Sequence, residues 1–208
     1  MEPATIPKIG GLSHGESHGH NLIPLETKLF GERKLIVEGE ITQETSTEFV
    51  KQLLILSLES DKLPIDVLIN SEGGEVNSGL LMYDAVQSCT APVRMFCLGR
   101  AYSMAAVLFA SGCHGRFMLE NSELMLHEPL IRSGIGGNCS TVRSISESME
   151  ATRQRINMIL AKHTGRELHE IDEASSYDHF FTPKESIEFG LCDGIAGIDE
   201  IMNGGDVR

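Results

Sequence analysis

Three short apolar stretches, each followed by a longer helical pattern, constrain this chain more than any other feature. Lys34 to Glu38 reads as a strand closed by Gly39. Ile65 to Asn70 follows the breaker Pro64 as a second strand, with Val67 and Ile69 on one face and Leu68 on the other. Val93 to Leu98, behind Pro92, is the third. Thr42 is placed to cap a helix whose apolar face carries Phe49, Val50, Leu53, Leu54 and Leu58. Val76 to Ser88 is helical in pattern, and Met104 to Ala110 is apolar and rich in helix formers. Strand, helix, strand, helix, strand, helix predicts an α/β fold with a parallel sheet wound right-handedly.

Beyond Gly112 the pattern changes. Gly115 to Leu119 and Leu124 to Leu126 are short extended pieces, and Pro129 to Asn138 is a Gly-rich loop. Ser140 to His163 forms one long helical stretch carrying Val142, Ile145, Met149, Ile156, Ile159 and Leu160. Its middle is polar, as in a helix that projects from its domain to meet another subunit. Gly165 ends it, a short helix follows from Leu168 to Ala174, and Thr182-Pro183 starts another that stops at Gly190. One domain is expected over residues 24–199, with its projecting helix at about 140–163. Residues 1–23 and 200–208 read as polar tails. His14, His18 and His20 in the first tail are candidate metal ligands, though nothing in a polar tail fixes their geometry, and a solvated segment is the default.

The net charge of −13 excludes a nucleic-acid-binding surface and a polybasic membrane anchor. No apolar stretch reaches membrane-spanning length, and no signal peptide is expected. The five cysteines, Cys89, Cys97, Cys113, Cys139 and Cys192, are scattered and form no CxxC pair, which suits a reducing cytoplasm.

Open α/β sheets place their sites at the C-terminal ends of strands. Ser103 sits there, between the third strand and its helix. It is either an ordinary N-cap or a nucleophile at a helix N-terminus, where backbone N–H groups favour a developing oxyanion. Ser71-Glu72-Gly73-Gly74 follows the second strand as a turn, and Gly74 and Met104 are candidates to offer oxyanion N–H groups. His127 ends a short apolar strand and meets Pro129, as a general base or a packed residue. Asp178 precedes Phe180-Phe181, as an orienting carboxylate or a turn residue. Chain order alone does not make a catalytic triad.

The motifs Ile69-Asn70-Ser71-x-Gly73-Gly74, Gly99-Arg100-Ala101-x-Ser103-Met104-Ala105-Ala106 and Asn121-Ser122-Glu123-x-Met125-x-His127-x-Pro129 occur in that order. His163-Thr164-Gly165 and Asp178-x-Phe180-x-Thr182 follow. From about Lys34 to Gly194 the chain resembles the Clp protease family. The resemblance implies the ClpP/crotonase fold, a repeated β-β-α spiral with a long projecting helix, the handle. It implies Ser103 as nucleophile, His127 as general base, Asp178 as its orienter, and Gly74 and Met104 as the oxyanion hole. It also implies a homo-oligomer of heptameric rings stacked as a tetradecamer, served by an AAA+ unfoldase, with polypeptide substrates cut inside the chamber. No cofactor is implied for the protease, ATP being used only by the unfoldase. Glu72, Tyr102, Glu128, Ser176 and Tyr177 depart from the usual pattern. Two rival readings are a crotonase-type acyl-CoA hydratase or isomerase, and a non-catalytic or weakly active ring subunit.

Overall fold

The computed structural model describes residues 11–12, 22–131, 134 and 136–203. Its elements in chain order are β1 (Gly11–Leu12), β2 (Leu22–Ile23), α1 (Leu25–Gly31), β3 (Lys34–Ile41), α2 (Gln43–Glu59), β4 (Ile65–Gly74), α3 (Val76–Ser88), β5 (Val93–Tyr102) and α4 (Met104–Ala110). There follow β6 (Arg116–Met118), β7 (Glu123–Leu126), α5 (Cys139–Thr164), α6 (Leu168–Ser175), β8 (His179–Phe181), α7 (Pro183–Phe189), β9 (Gly194–Ile195) and α8 (Ile198–Asn203).

The predicted parallel sheet is present. Strands β3, β4, β5, β6 and β9 lie side by side in that order, all parallel. Strand β5 is ten residues long and divides its far flank. Met95–Cys97 pair with β6, whereas Arg100–Tyr102 pair with β7. Strand β8 then adds to β7 antiparallel.

Two strands run further than the sequence reading allows. The turn expected at Ser71–Gly74 is still strand, because Glu40 and Ile41 of β3 remain opposite Gly73 and Gly74. Strand β5 likewise continues past Gly99, with Ala101 opposite Ser71. Irregularities in register absorb the mismatch, and the Ser71 hydroxyl stitches one of them by donating to Gly39 O while accepting from Gly73 N.

The helix signals act as read. Thr42 and Thr182 both close capping boxes, with Pro183 at the first helical position and Gly190 ending α7 in the left-handed conformation. On one face of the sheet α2, α3 and α4 bury Phe49, Leu53, Met82 and Phe109 against Val67, Ile69, Met95 and Cys97. On the other face Leu68 and Phe96 meet Ala196 and Ile201. That second layer includes α8, which carries the chain from Ile198 to Asn203, across the boundary expected at residue 199. At the start of the chain, Gly11–Leu12 and Leu22–Ile23 pair antiparallel within the stretch read as a tail. His14, His18 and His20 lie outside the described residues.

The sheet also holds a row of charge. Lys34, Asp66 and Arg94 are in register across β3, β4 and β5. Lys34 Nζ lies 2.9 Å from one Asp66 oxygen and Arg94 Nε 2.7 Å from the other. Lys34 and Asp66 are buried.

Helix α5 is capped by the Asn138 side chain, which accepts from Thr141 N, and ends at Gly165 with φ of 72°. Its buried residues, Ile156, Asn157 and Leu160, all belong to its second half. The first half projects, with Val142 43% exposed. Among the described residues no helix is long and apolar enough to cross a membrane.

Candidate active site

Ser103 has φ of 55° and ψ of −123°, a conformation L-residues seldom adopt. Such strain persists only where the surroundings fix it. On one side Ser103 N donates to Met125 O at 2.8 Å, tying it to β7. On the other, Ser103 O accepts from Ala106 and Val107 at the start of α4, a helix buried along its whole length. This is the sharp strand-to-helix turn that lifts a serine hydroxyl out of a sheet. The hydroxyl does not cap α4. It lies 2.8 Å from His127 Nε2 instead. Ser103 therefore stands at the N-cap position of α4 without the side-chain hydrogen bond of an N-cap serine.

Sheet register places the other two side chains. Strand β7 alternates half-buried Glu123 and Met125 with buried Leu124 and Leu126, so His127 leaves the strand on the half-buried side. Leu126 is opposite His179 in the antiparallel β7–β8 pair. One step further brings His127 beside Asp178, with Nδ1 3.6 Å from Asp178 Oδ1. That exceeds hydrogen-bond length, and such contacts commonly tighten only when substrate is bound. The imidazole is 16% exposed and the Asp178 side chain 64%. For Nε2 to take a proton from Ser103, Nδ1 must carry the ring hydrogen, and Nδ1 is the nitrogen facing the carboxylate.

Gly73 and Gly74 form the opposite wall. A Cβ on Gly73 would lie 2.5 Å from Tyr102 O, 2.9 Å from Ser103 Cβ and 3.0 Å from Met104 N. A Cβ on Gly74 would collide with Ile41 O. Only glycine lets these two backbones approach so closely. Met104 is the first residue of α4, so its N–H has no acceptor within the helix. The structure thus brings together Ser103, His127, Asp178, Met104 and the Gly73 backbone, while the next residue, Gly74, packs against Ile41 of β3.

The cleft at Ser103 and His127 is narrow and apolar, walled by Val76, Val107, Leu126, Pro129, Ile156 and Leu160. Ile156 and Leu160 are contributions that the sequence reading did not assign. Their signal was present in the apolar i, i+4 pair in the second half of α5. Glu128 turns to Arg153, at 3.8 Å. Among the described residues no group of three or more His, Cys, Asp or Glu side chains is arranged to hold a metal ion.

The sequence model of the family described as Clp protease matches residues 17–199. The chain is 35% identical over 180 residues to the ATP-dependent Clp protease proteolytic subunit of Ligilactobacillus salivarius (strain UCC118), covering 86% of this chain and 90% of that protein. With a family match over most of its length and a relative this similar along nearly its whole sequence, the chain belongs to the Clp protease family.

Proposed function

We propose that this Clp-type serine endopeptidase subunit cuts peptide bonds with Ser103 as nucleophile, His127 as general base and Asp178 as the group that orients His127. One observation carries the assignment: a strained Ser103 whose hydroxyl ignores its helix and meets His127 Nε2 at 2.8 Å. Ser103 Oγ attacks the scissile carbonyl while its proton passes to Nε2. The carbonyl oxygen becomes an oxyanion held by Gly74 and Met104 N–H groups, each donor contributing about 3 kcal/mol in comparable sites. Protonated His127 returns the proton to the leaving amine, and water then resolves the acyl-enzyme by the same route in reverse. No cofactor takes part in these steps.

The assembly we propose is a homo-oligomer of heptameric rings stacked as a tetradecamer, fed with unfolded polypeptide by an AAA+ unfoldase that uses the ATP. Support comes from the projecting half of α5 and from the apolar side chains Leu54, Ile55, Leu58 and Leu81 left exposed on α2 and α3. Leu58 is 87% exposed, which an isolated chain would not favour. The five cysteines are free thiols, in keeping with a cytoplasmic setting.

A fluorophosphonate tests the triad, because it reacts only with an activated serine beside an oxyanion site. Ser103→Ala should abolish labelling and peptide cleavage while the particle mass stays unchanged. His127→Ala should nearly abolish both. Asp178→Asn should slow both by up to about 10⁴, the loss seen when a buried triad carboxylate becomes an amide. Cleavage surviving Ser103→Ala would overturn the assignment. Turnover of an enoyl-CoA would favour the hydratase reading, and an unlabelled particle the scaffold reading.

A further inference from the structure

Tyr102 immediately precedes Ser103, and it lies opposite Met125 of β7, which in turn lies opposite Phe180 of β8. Side chains alternate along a strand, so Tyr102, Met125 and Phe180 form one row on one face of the sheet. His127 and Asp178 are two residues on from Met125 and Phe180, and they form the next row on that same face. The Tyr102 ring leans across its row and meets the Phe180 ring edge-on, with centroids 5.7 Å apart and planes at 86°. Its hydroxyl donates to Glu123 Oε1 at 2.5 Å. The bond to Glu123 pushes the phenol above its ordinary range, with burial adding to it, so the hydroxyl remains a donor.

Strand β8 needs such support. It is three residues long and, among the described residues, pairs only with β7. Its inner face is secured by buried Phe181, which packs on Phe189 with ring centroids 5.1 Å apart. Its outer face carries Phe180, 47% exposed, and the ring that meets it is Tyr102. Asp178 sits just before this strand, already 3.6 Å from His127 Nδ1, where a small sideways movement decides whether a hydrogen bond forms.

We propose that Tyr102 is a positioning residue: anchored by Glu123, its ring holds Phe180 and thereby sets the reach of Asp178 to His127. The proposal rests on the triad reading above. It acts through Asp178, and that gives it a distinctive signature. Steady-state hydrolysis of a short peptide by the full-length protein, with particle mass followed by light scattering, reads it out. Tyr102→Leu and Phe180→Leu should each lower kcat about tenfold, a fraction of the loss from a 1 Å misplacement, with KM and mass unchanged. Tyr102→Phe keeps the ring but loses its Glu123 anchor, and its rate should fall between those of wild type and Tyr102→Leu. In an Asp178→Ala background, Tyr102→Leu should have no further effect, since the group it positions is gone.

A Tyr102→Leu enzyme with wild-type kcat would overturn the proposal. So would the same tenfold loss in the Asp178→Ala background, or activity lost in step with particle mass. An unlabelled wild-type Ser103 would overturn the triad reading and this proposal with it. A labelled wild type that is indifferent to Tyr102 overturns the proposal alone.

Discussion

Replacing Gly73 by alanine puts a methyl group into the wall of the candidate active site. Gly73 has φ of +85°, and an L-residue in the left-handed region costs about 1–2 kcal/mol. The new Cβ would lie 2.5 Å from Tyr102 O. A carbon–oxygen contact relaxes at about 3.3 Å, so one backbone must retreat by about 0.8 Å. Neither has a free end: Tyr102 closes β5 opposite Met125 of β7, and Ser103 N is bonded to Met125 O. The retreat therefore separates Ser103 and Met104 N from the glycine wall, and a misplacement near 1 Å costs about 10²-fold in rate. Timed fluorophosphonate labelling and peptide hydrolysis should both fall by about that factor. Urea melts should show a loss of at least about 1 kcal/mol. Gly165→Ala is the control, because its φ of +72° carries similar strain with nothing within 4 Å of the added Cβ. It should lose stability and keep its rate. A Gly73→Ala protein labelled as fast as wild type would refute the packing argument.

Two further outcomes follow from burial. Desolvation, reinforced by Lys162 and Arg116, pushes His163 down to about 4 where its Nε2 meets the Tyr83 hydroxyl. The unfolded imidazole titrates near 6.5, so between these values the unfolded chain binds more protons, and stability falls as pH drops from about 6.5 to about 4. Thermal melts across that window should show the slope, and His163→Gln should flatten it; an identical slope in the variant would contradict the assignment. Burial also pushes the thiol of Cys97 up to about 12 and that of Cys192 up to about 11. Iodoacetamide should therefore modify exposed Cys113 and Cys139 first, and peptide mapping that finds Cys97 labelled ahead of them would count against the buried core described here.

Much of the fold was legible because its signals are local. Thr42, Thr182, Pro183, Gly165 and Gly190 act through the chain immediately beside them, and the helices start or stop there. What stayed hidden depends on distant partners. Ser71–Gly74 looks like a turn until Glu40 and Ile41 are placed opposite it. Asp66 reads as part of an apolar strand until Lys34 and Arg94 flank it. Helix α8 is too short to show an apolar face in sequence, and Ile201 buries only because Leu68 and Phe96 lie on the sheet face it meets. At the site, the residue types at Ser103, His127 and Asp178 are readable, since strand ends and turns mark them. The positive φ of Ser103 is not, because it is imposed by β7 on one side and α4 on the other. Nor is the pairing of His127 with Asp178, which arises only from the β7–β8 register.

The Lys34–Asp66–Arg94 row works as a key to that kind of alignment. Parallel strands have no tight hairpin to fix their stagger, and a one-residue slip moves every side chain to the opposite face. Slipping β3 or β5 against β4 would leave Lys34 or Arg94 desolvated with no carboxylate, and breaking such a buried pair costs about 3–5 kcal/mol. Apolar neighbours tolerate a shifted fit, whereas a buried ammonium does not. Exchanging all three for apolar residues of similar size would lift that penalty, and mixed strand staggers in the refolded chain are where its absence would show.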